Sequence, residues 1–135
     1  MDATFHLDIL AASVPFFRGE VTSLVLPVED GVMGILAGHC NAVGAVKAGE
    51  AHFTTADGET RRAAVAPGIF KIDGDRVVVL VDAAERPEDI DVNRALRARE
   101  EAEEQIRQKR SMAEYNIAQG NLARALNRLR VSGRM

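Results

Sequence analysis

The fold is decided by one stretch of the chain, Ala84-Glu85-Arg86-Pro87-Glu88-Asp89-Ile90-Asp91-Val92-Asn93-Arg94-Ala95. Before it come short β-like runs, the last of them at residues 76–81. After it comes proline-free sequence, rich in Ala, Glu and Arg, with a helical period. Pro87 is expected to stop the last strand, and Asp91 is expected to cap the first helix. The pattern predicts two domains, residues 1–87 and residues 88–135.

The first domain carries the period of β-strands. Phe5, Leu7 and Ile9 alternate with polar neighbours, as in a strand with one buried face. Residues 21–26 are mostly apolar on both faces, which predicts a central strand. Further strands are predicted at residues 42–47, 50–56, 60–66, 69–72 and 76–82, and the Asp-Gly pairs at 57–58 and 73–74 indicate hairpin turns. We therefore predict an α+β chain that begins with an antiparallel β-sandwich or flattened barrel.

The second domain is predicted to be a pair of helices, from Asp91 to about Lys109 and from about Met112 to Val131. Their short connection predicts an antiparallel hairpin. The expected seam is mostly alanine, formed by Ala95, Ala98, Ala102, Ile106, Ala118, Leu122, Ala125, Leu126 and Leu129. Small side chains on the seam, and Gly120 inside the second helix, make the hairpin only marginally stable. The residues alone fit both a regulatory arm that opens and a static hairpin docked on the sandwich.

The charge of the chain is divided unevenly between the two domains. Residues 1–87 hold 12 acidic and 7 basic residues, net −5, and residues 88–135 hold 8 and 10, net +2. This balance argues against a nucleic-acid binder, which needs a concentrated basic face, and it suits a basic tail that meets an acidic protein surface. Cys40 is the single cysteine, so no internal disulfide can form and a reducing compartment is expected. The sequence shows neither a signal peptide nor a bilayer-spanning stretch.

Three features that could indicate catalysis have structural explanations. The glycine-rich run at residues 31–39 lacks the Gly-Lys-Ser/Thr ending of a phosphate loop, so its glycines are expected to serve turns and close packing. His6, His39 and His52 lack ligand spacing, and adjacent Cys40 and His39 side chains point apart. We therefore predict no catalytic and no metal-binding residues. The alternative is a small cupin-like, metal-dependent enzyme with a helical oligomerisation tail.

Two motifs carry a resemblance to a known family. The segment Ile90-Asp91-x-x-Arg94-Ala95 lies at the β-to-α junction, and residues 31–39 read Gly-x-x-Gly-Ile-Leu-Ala-Gly-His. Together they resemble the epsilon subunit of F-type ATP synthases over nearly the whole chain. The resemblance implies a nucleotide site made of Glu85, Ile90, Asp91, Arg94, Ala95, Arg124 and Arg128. Glu101 departs from the pattern, because ATP-binding members carry an arginine there; Arg97 and Arg99 lie nearby.

The resemblance also implies a function without catalysis. The chain would be a central-stalk subunit that couples proton flow to ATP synthesis, with its sandwich on the gamma subunit and the ring of c subunits. Its helical arm would restrain ATP hydrolysis at an acidic C-terminal segment of the beta subunit. No cofactor is required, and ATP would be a regulatory ligand that favours the folded hairpin. The subunit would lie at the cytoplasmic face of the cell membrane, bound only through the complex. A helical adaptor without a nucleotide role is a further alternative.

Overall fold

The computed structural model describes residues 3–108 and 111–133. The chain divides into two compact units, Met1–Glu85 and Arg86–Met135. Over its described residues the first unit contains nine strands: β1 Phe5–Ala11, β2 Val14–Val28, β3 Gly31–Leu36, β4 Ala42–Val46, β5 Gly49–Thr55, β6 Thr60–Val65, β7 Gly68–Asp73, β8 Arg76–Val81 and β9 Ala84–Glu85. The second unit contains a 3-10 turn at Pro87–Asp89 and the helices α1 Val92–Gln108 and α2 Met112–Ser132. The predicted fold class, a β-sandwich followed by a helical hairpin, is confirmed.

The strands of the first unit run in the order β4-β7-β8-β1-β2-β5-β6-β9, and β3 pairs with β2. Every pair is antiparallel except β1 with β8, which is parallel, with His6 opposite Arg76 and Leu10 opposite Leu80. The long strand β2 pairs with β1, β3 and β5 and is therefore the central strand that the sequence predicted.

The core of this unit consists of the inward residues of these strands. Leu7 and Ile9 alternate with His6 and Asp8, so β1 buries one face as its period indicated. The largest fully buried side chains of the sheet include Phe53, Leu24 and Leu26. Burying each such side chain stabilises the fold by roughly 1.5–3 kcal/mol, so aliphatic side chains, together with buried phenylalanines such as Phe53, hold this tryptophan-free sandwich together.

Strand β2 differs from its predicted pattern because it contains a bulge. The register with β5 shifts between Val21 and Ser23, which places an extra residue on β2. The bulge interrupts the simple alternation that the sequence predicted. Val21 is buried, and the next buried residues are Leu24 and Leu26. The sequence analysis also did not predict residues 14–20 of this strand. It did not predict β3 either, because the glycines of that segment are typical of turns.

The second unit begins and ends with capped helices. The side chain of Asp91 accepts a hydrogen bond from the Arg94 amide at 3.0 Å, so the predicted cap is present. Ser111 caps α2 by accepting from the Glu114 amide at 3.1 Å, and Gly133 ends α2 in the left-handed conformation. The predicted end of the first helix at Lys109 lies outside the described residues.

The two helices contact each other along a seam of alanines. Of the predicted seam, Ala95, Ala102, Ala118, Ala125 and Leu129 are buried, whereas Leu122 and Leu126 are only half-buried. The end of α1 lies beside the start of α2, since Gln105 and Gln108 share a cavity with Glu114 and Ile117. The helices therefore run antiparallel. A buried alanine methyl contributes about 0.8 kcal/mol, so this seam gives less stability than a leucine seam would.

Candidate functional site

The start of the hairpin, residues 87–95, is called the hairpin root, and it contains the Ile90–Ala95 motif. The amide of Ile90 donates to the carbonyl of Pro87 at 3.3 Å and ends the 3-10 turn. The Ile90 side chain is only 7% exposed. Ala95 is 2% exposed within the alanine seam, and its amide donates to the main-chain carbonyl of Asp91 at 3.0 Å. The side chain of Arg94 is exposed. The motif thus combines two buried apolar residues, a helix cap and one exposed guanidinium.

Arg86, which directly precedes the root, forms an ion-pair cluster with the 3-10 turn. The Arg86 guanidinium donates to Asp89 at 3.1 Å and lies 3.5 Å from Glu88. The hydrogen bond to Asp89, followed by the charges of Asp89 and Glu88, raises the pKa of Arg86. All three side chains are exposed, so the pairs orient the turn more than they stabilise it. The 3-10 turn also contacts α2.

An open groove of about 160 Å³ lies between the two helices, and we call it the arginine groove. It is lined by Ala98, Glu101, Ala102, Gln105, Asn121, Arg124, Ala125 and Arg128. The Arg124 guanidinium donates to the side-chain oxygen of Asn121.

The charge of the arginine groove favours an anion, with one opposing group. Two guanidinium groups, Arg124 and Arg128, provide the planar donor forks that suit phosphate oxygens. Glu101 places a carboxylate in the same lining, and this charge opposes a phosphate. The structure therefore brings together two of the predicted arginines and the residue that departs from the family pattern.

The remaining predicted site residues lie elsewhere in the chain. Asp91 and Arg94 are in the hairpin root, before the residues of α1 that line the arginine groove. Glu85 belongs to the first unit, where β9 pairs with β6 and Glu85 lies opposite Ala64. The complete set of nucleotide-binding residues stays a prediction.

A separate candidate surface lies on the outer face of the sheet, and the sequence analysis missed it. Across strands β4, β7, β8, β1 and β2 the register aligns an apolar row, formed by Ala45, Ile69, Leu80, Leu10 and Pro15. Ile69 is 50% exposed and Leu80 is 40% exposed, although both are large and apolar. The row beside it is mixed, because Lys71 lies between Val43 and Val78 in the register. Contiguous exposed apolar side chains of this kind mark interaction sites.

The same face becomes polar towards its other edge. There His6 lies opposite Glu20, and its Nε2 atom is 3.1 Å from a carboxylate oxygen of Asp8. Arg18 approaches the same oxygen of Asp8 at 3.4 Å. The surface is therefore charged at one edge and apolar at the other. It suits a partner whose surface has charged and apolar regions in the matching places.

The histidines do not form a cluster in the part of the chain that the structure describes. His39 forms a hydrogen bond to the carbonyl of Cys40, with 2.8 Å between the atoms, and His6 belongs to β1. Among residues 3–108 and 111–133, no group of three or more His, Cys, Asp or Glu side chains is placed to hold a metal ion. Neither helix, over its described residues, is long and apolar enough to cross a membrane.

Comparisons with known proteins match both units. Residues 4–87 match the family described as ATP synthase, Delta/Epsilon chain, beta-sandwich domain, and residues 88–133 match ATP synthase, Delta/Epsilon chain, long alpha-helix domain. The ATP synthase epsilon chain of Ruminiclostridium cellulolyticum is 42% identical over 132 residues, covering 98% of each chain. That of Caldanaerobacter subterraneus subsp. tengcongensis is 37% identical, covering 99% of this chain and 97% of the relative.

Solved structures show the same fold. A chain in the cryo-EM structure of the Euglena gracilis mitochondrial ATP synthase, OSCP/F1/c-ring, superposes with a TM-score of 0.75 at 19% identity, covering 99% of this chain and 80% of that one. A chain from the central stalk/c-ring structure of the Tetrahymena thermophila mitochondrial ATP synthase superposes with a TM-score of 0.67 at 6% identity, covering 97% and 98%.

Proposed function

The chain belongs to the family of ATP synthase epsilon chains, and from this membership we propose that it serves as a non-catalytic subunit of the central stalk. The family resemblance expected from the sequence is confirmed. In the proposed role the subunit turns with the stalk while proton flow drives ATP synthesis, and its helical arm restrains ATP hydrolysis. The subunit is peripheral, held at the cytoplasmic face of the cell membrane through its partners.

The apolar row is the observation that carries the docking part of this proposal. Ile69 and Leu80 expose large apolar side chains on one face of the sheet, and the core of an interface needs such apolar area. The gamma subunit is the proposed occupant, and the ring of c subunits lies beside it. Burying the row would remove from water the apolar surface that the isolated chain leaves exposed.

A substitution on the row tests the docking. Leu80→Glu would place a carboxylate in the centre of the proposed interface, and we expect at least a hundredfold weaker binding to an isolated gamma subunit. Leu36→Glu is the matched control, because Leu36 is also a large exposed apolar side chain but lies on β3. Binding of both variants at the wild-type level would contradict docking through the apolar row.

The arm is proposed to act through its weak seam and its basic end. The alanine seam contributes little per residue, so the hairpin can open at modest cost. Helix α2 contains three arginines, Arg124, Arg128 and Arg130, in its second half, and its one acidic residue, Glu114, lies in the first turn. An opened α2 would therefore be attracted to the acidic C-terminal segment of a beta subunit, and contact there would restrain hydrolysis.

ATP is proposed to favour the closed hairpin by binding to the predicted site residues. Arg124 and Arg128 would bind phosphate oxygens in the arginine groove, and Arg94 would contribute from the hairpin root. Glu101 lowers the expected affinity. The groove supports this proposal because it holds two guanidinium groups in one cavity that a phosphate chain can enter.

One reconstitution tests the arm and the ATP response together. The whole chain, and a chain ending at Glu88, would be added to an ATPase complex that lacks its epsilon subunit, and hydrolysis would be followed after preincubation with or without ATP. We expect inhibition by the whole chain only, and relief of that inhibition by ATP. Equal rates with both chains would contradict the arm's role and leave the stalk role standing.

A further inference from the structure

One lysine lies beside the apolar row on the outer face of the sheet. Lys71 is exposed, and the register places it on β7 between two apolar residues, Val43 of β4 and Val78 of β8. Ile69, which belongs to the apolar row, is two residues away on the same strand. Two residues advance a strand by about 7 Å, so the ammonium group of Lys71 adjoins the row that is proposed to bind gamma.

The other charges in the row of Lys71 already have partners. The register continues from Lys71 through Val78 to Asp8 of β1 and Arg18 of β2. One carboxylate oxygen of Asp8 lies 3.4 Å from Arg18 and 3.1 Å from a ring nitrogen of His6. Among residues 3–108 and 111–133, no carboxylate lies within 4.0 Å of the Lys71 ammonium. Lys71 is therefore a cation of this row for which the described part of the fold provides no anion.

The size of a docking interface brings Lys71 into contact with the partner. A stable interface buries about 800 Å² on each side, which corresponds to a patch about 30 Å across. A patch of this size centred on Ile69 and Leu80 also covers a residue one row away. Removing an ammonium group from water is unfavourable unless a carboxylate binds it.

We propose that Lys71 determines the specificity of this surface, and that gamma presents an acidic side chain to it. This pairing presupposes the proposed docking of gamma on the apolar row and adds the chemistry that the partner needs there. A second copy of the chain fits the surface less well. Residues 1–87 hold 12 acidic and 7 basic residues, so two sandwiches repel each other.

Three substitutions of Lys71 in the full chain separate its charge from its stem, with binding to isolated gamma measured at low and high salt. Lys71→Met keeps an unbranched apolar stem but leaves the acidic group of gamma unpaired. We expect about tenfold weaker binding and a smaller loss of affinity with salt. Lys71→Glu brings two carboxylates together and should weaken binding about a hundredfold. Lys71→Arg keeps the cation and should bind within about threefold of the wild type.

Arg62→Met is the matched control for the loss of one positive charge. Arg62 lies on β6, five places from β7 in the strand order, and pairs with Glu50 at 2.7 Å. Its replacement should leave gamma binding at the wild-type level. Urea unfolding should give wild-type midpoints for the Lys71 variants, because this side chain is exposed. Lost binding then reports the interface and not the fold.

A charge exchange completes the experiment. Lysine substitutions at exposed acidic residues of gamma should include one that restores binding of Lys71→Glu and weakens binding of the wild type. Wild-type or tighter binding by Lys71→Met would show that the lysine stem carries its ammonium past the interface into water, and the pairing would be wrong.

The variant Leu80→Glu separates this pairing from the docking itself. If Leu80→Glu weakens binding and Lys71→Met does not, the docking stands and only the acidic partner of Lys71 is wrong. If Leu80→Glu binds gamma like the wild type, the docking falls and the pairing falls with it. A dimer of the chain alone that Lys71→Glu dissociates, detected by sedimentation, would make a second copy the occupant and overturn the assignment to gamma.

Discussion

At the scale of single residues, glycine is required where two strands come too close for a side chain. Gly68 begins β7, and a Cβ atom built there would lie 1.9 Å from the carbonyl oxygen of Leu80 and 2.7 Å from the Cα of Val81. The constraint comes from the pairing of Gly68 with Val81, which brings the two backbones together. The sequence shows that residue 68 is a glycine, but it does not show that the backbone of β8 comes this close to it.

Gly68→Ala is therefore expected to destabilise the sandwich by about 3 kcal/mol, because the β7–β8 pair must move apart. Gly34→Ala is the matched control, since nothing lies within 4 Å of its Cβ position, and its stability should change by less than about 0.5 kcal/mol. Urea unfolding of both proteins measures the difference. Equal urea midpoints for the two variants would show that β7 and β8 can move apart at Gly68 with little loss of stability.

The turn between β1 and β2 shows a second residue-scale feature. Ala12 has a φ of 49° and Ser13 a φ of 70°, although neither is glycine. The flanking residues Ala11 and Val14 are paired, so this is a two-residue hairpin loop of the kind that prefers Asn-Gly. The left-handed conformation costs ordinary residues about 1 kcal/mol each.

Replacing Ala12 by Asn and Ser13 by Gly should therefore stabilise the chain by about 1–2 kcal/mol. Thermal unfolding of the double variant would measure the gain, with an expected rise in Tm of several degrees. Moving the same Asn-Gly pair to a loop with ordinary φ values should give no such gain. A fall in Tm would mean that Ala12 and Ser13 make contacts that offset their strain.

At the scale of elements, the sequence predicted the strands that alternate cleanly and the two helices. It missed β3 because Gly31 and Gly34 weaken the strand signal, and only pairing with β2 keeps this segment extended. It misjudged the faces of β2 because a bulge cannot be read from periodicity. The apolar row stayed hidden for a similar reason: its members come from five strands, and only the register aligns them.

Gly120 gives a prediction for α2. A Cβ atom there would meet only the Arg124 guanidinium, at 3.6 Å, an ordinary contact distance. Gly120→Ala should therefore stabilise α2 by about 1 kcal/mol, measured by hydrogen exchange of its amides. The reverse change at an exposed position of the same helix, Ala123→Gly, should cost about the same amount. Faster exchange in Gly120→Ala would contradict the expectation.

The alanine seam gives a second prediction for the hairpin. Ala118 is fully buried, so Ala118→Leu would force the helices apart and destabilise their packing by about 1–3 kcal/mol. Ala123→Leu adds the same side chain on an exposed position of α2 and should leave the packing intact. Hydrogen exchange across α1 would report the opening, because α1 loses its partner only in the first variant. Unchanged exchange in both would show that the seam can expand.

At the scale of the whole molecule, the two units differ in what holds each of them together. The first has a continuous core of buried aliphatic and phenylalanine side chains from β1 to β8, with Ala84 of β9 packed against it, and the second has a seam formed mostly of alanines between two helices. Isolated short helices are marginal in water, so the second unit depends on packing more than on helix propensity. The division at Glu85 follows from the contacts of the chain, whereas the sequence placed the boundary after residue 87.

A chain that ends at Glu88 should therefore fold as a cooperative β-structure, with most of the free energy of unfolding of the intact sandwich. Residues 86–135 alone should be largely unfolded at 25 °C. Circular dichroism and urea unfolding of the two fragments measure this difference. A fragment 1–88 without β-structure would show that the helices are needed to complete the first unit.

The parallel pair of β1 and β8 also governs how the chain matures during synthesis. Leu10 and Leu80 are paired but lie seventy positions apart, so β1 and β8 can pair only after residue 80 has been synthesised. On the ribosome the β1–β2 hairpin is available early, but its outer edge stays open until most of the polypeptide has emerged. Pairing between strands that are distant in sequence slows folding. During this time the open edge of β1 has unpaired backbone groups, to which chaperones or the strands of other chains can bind.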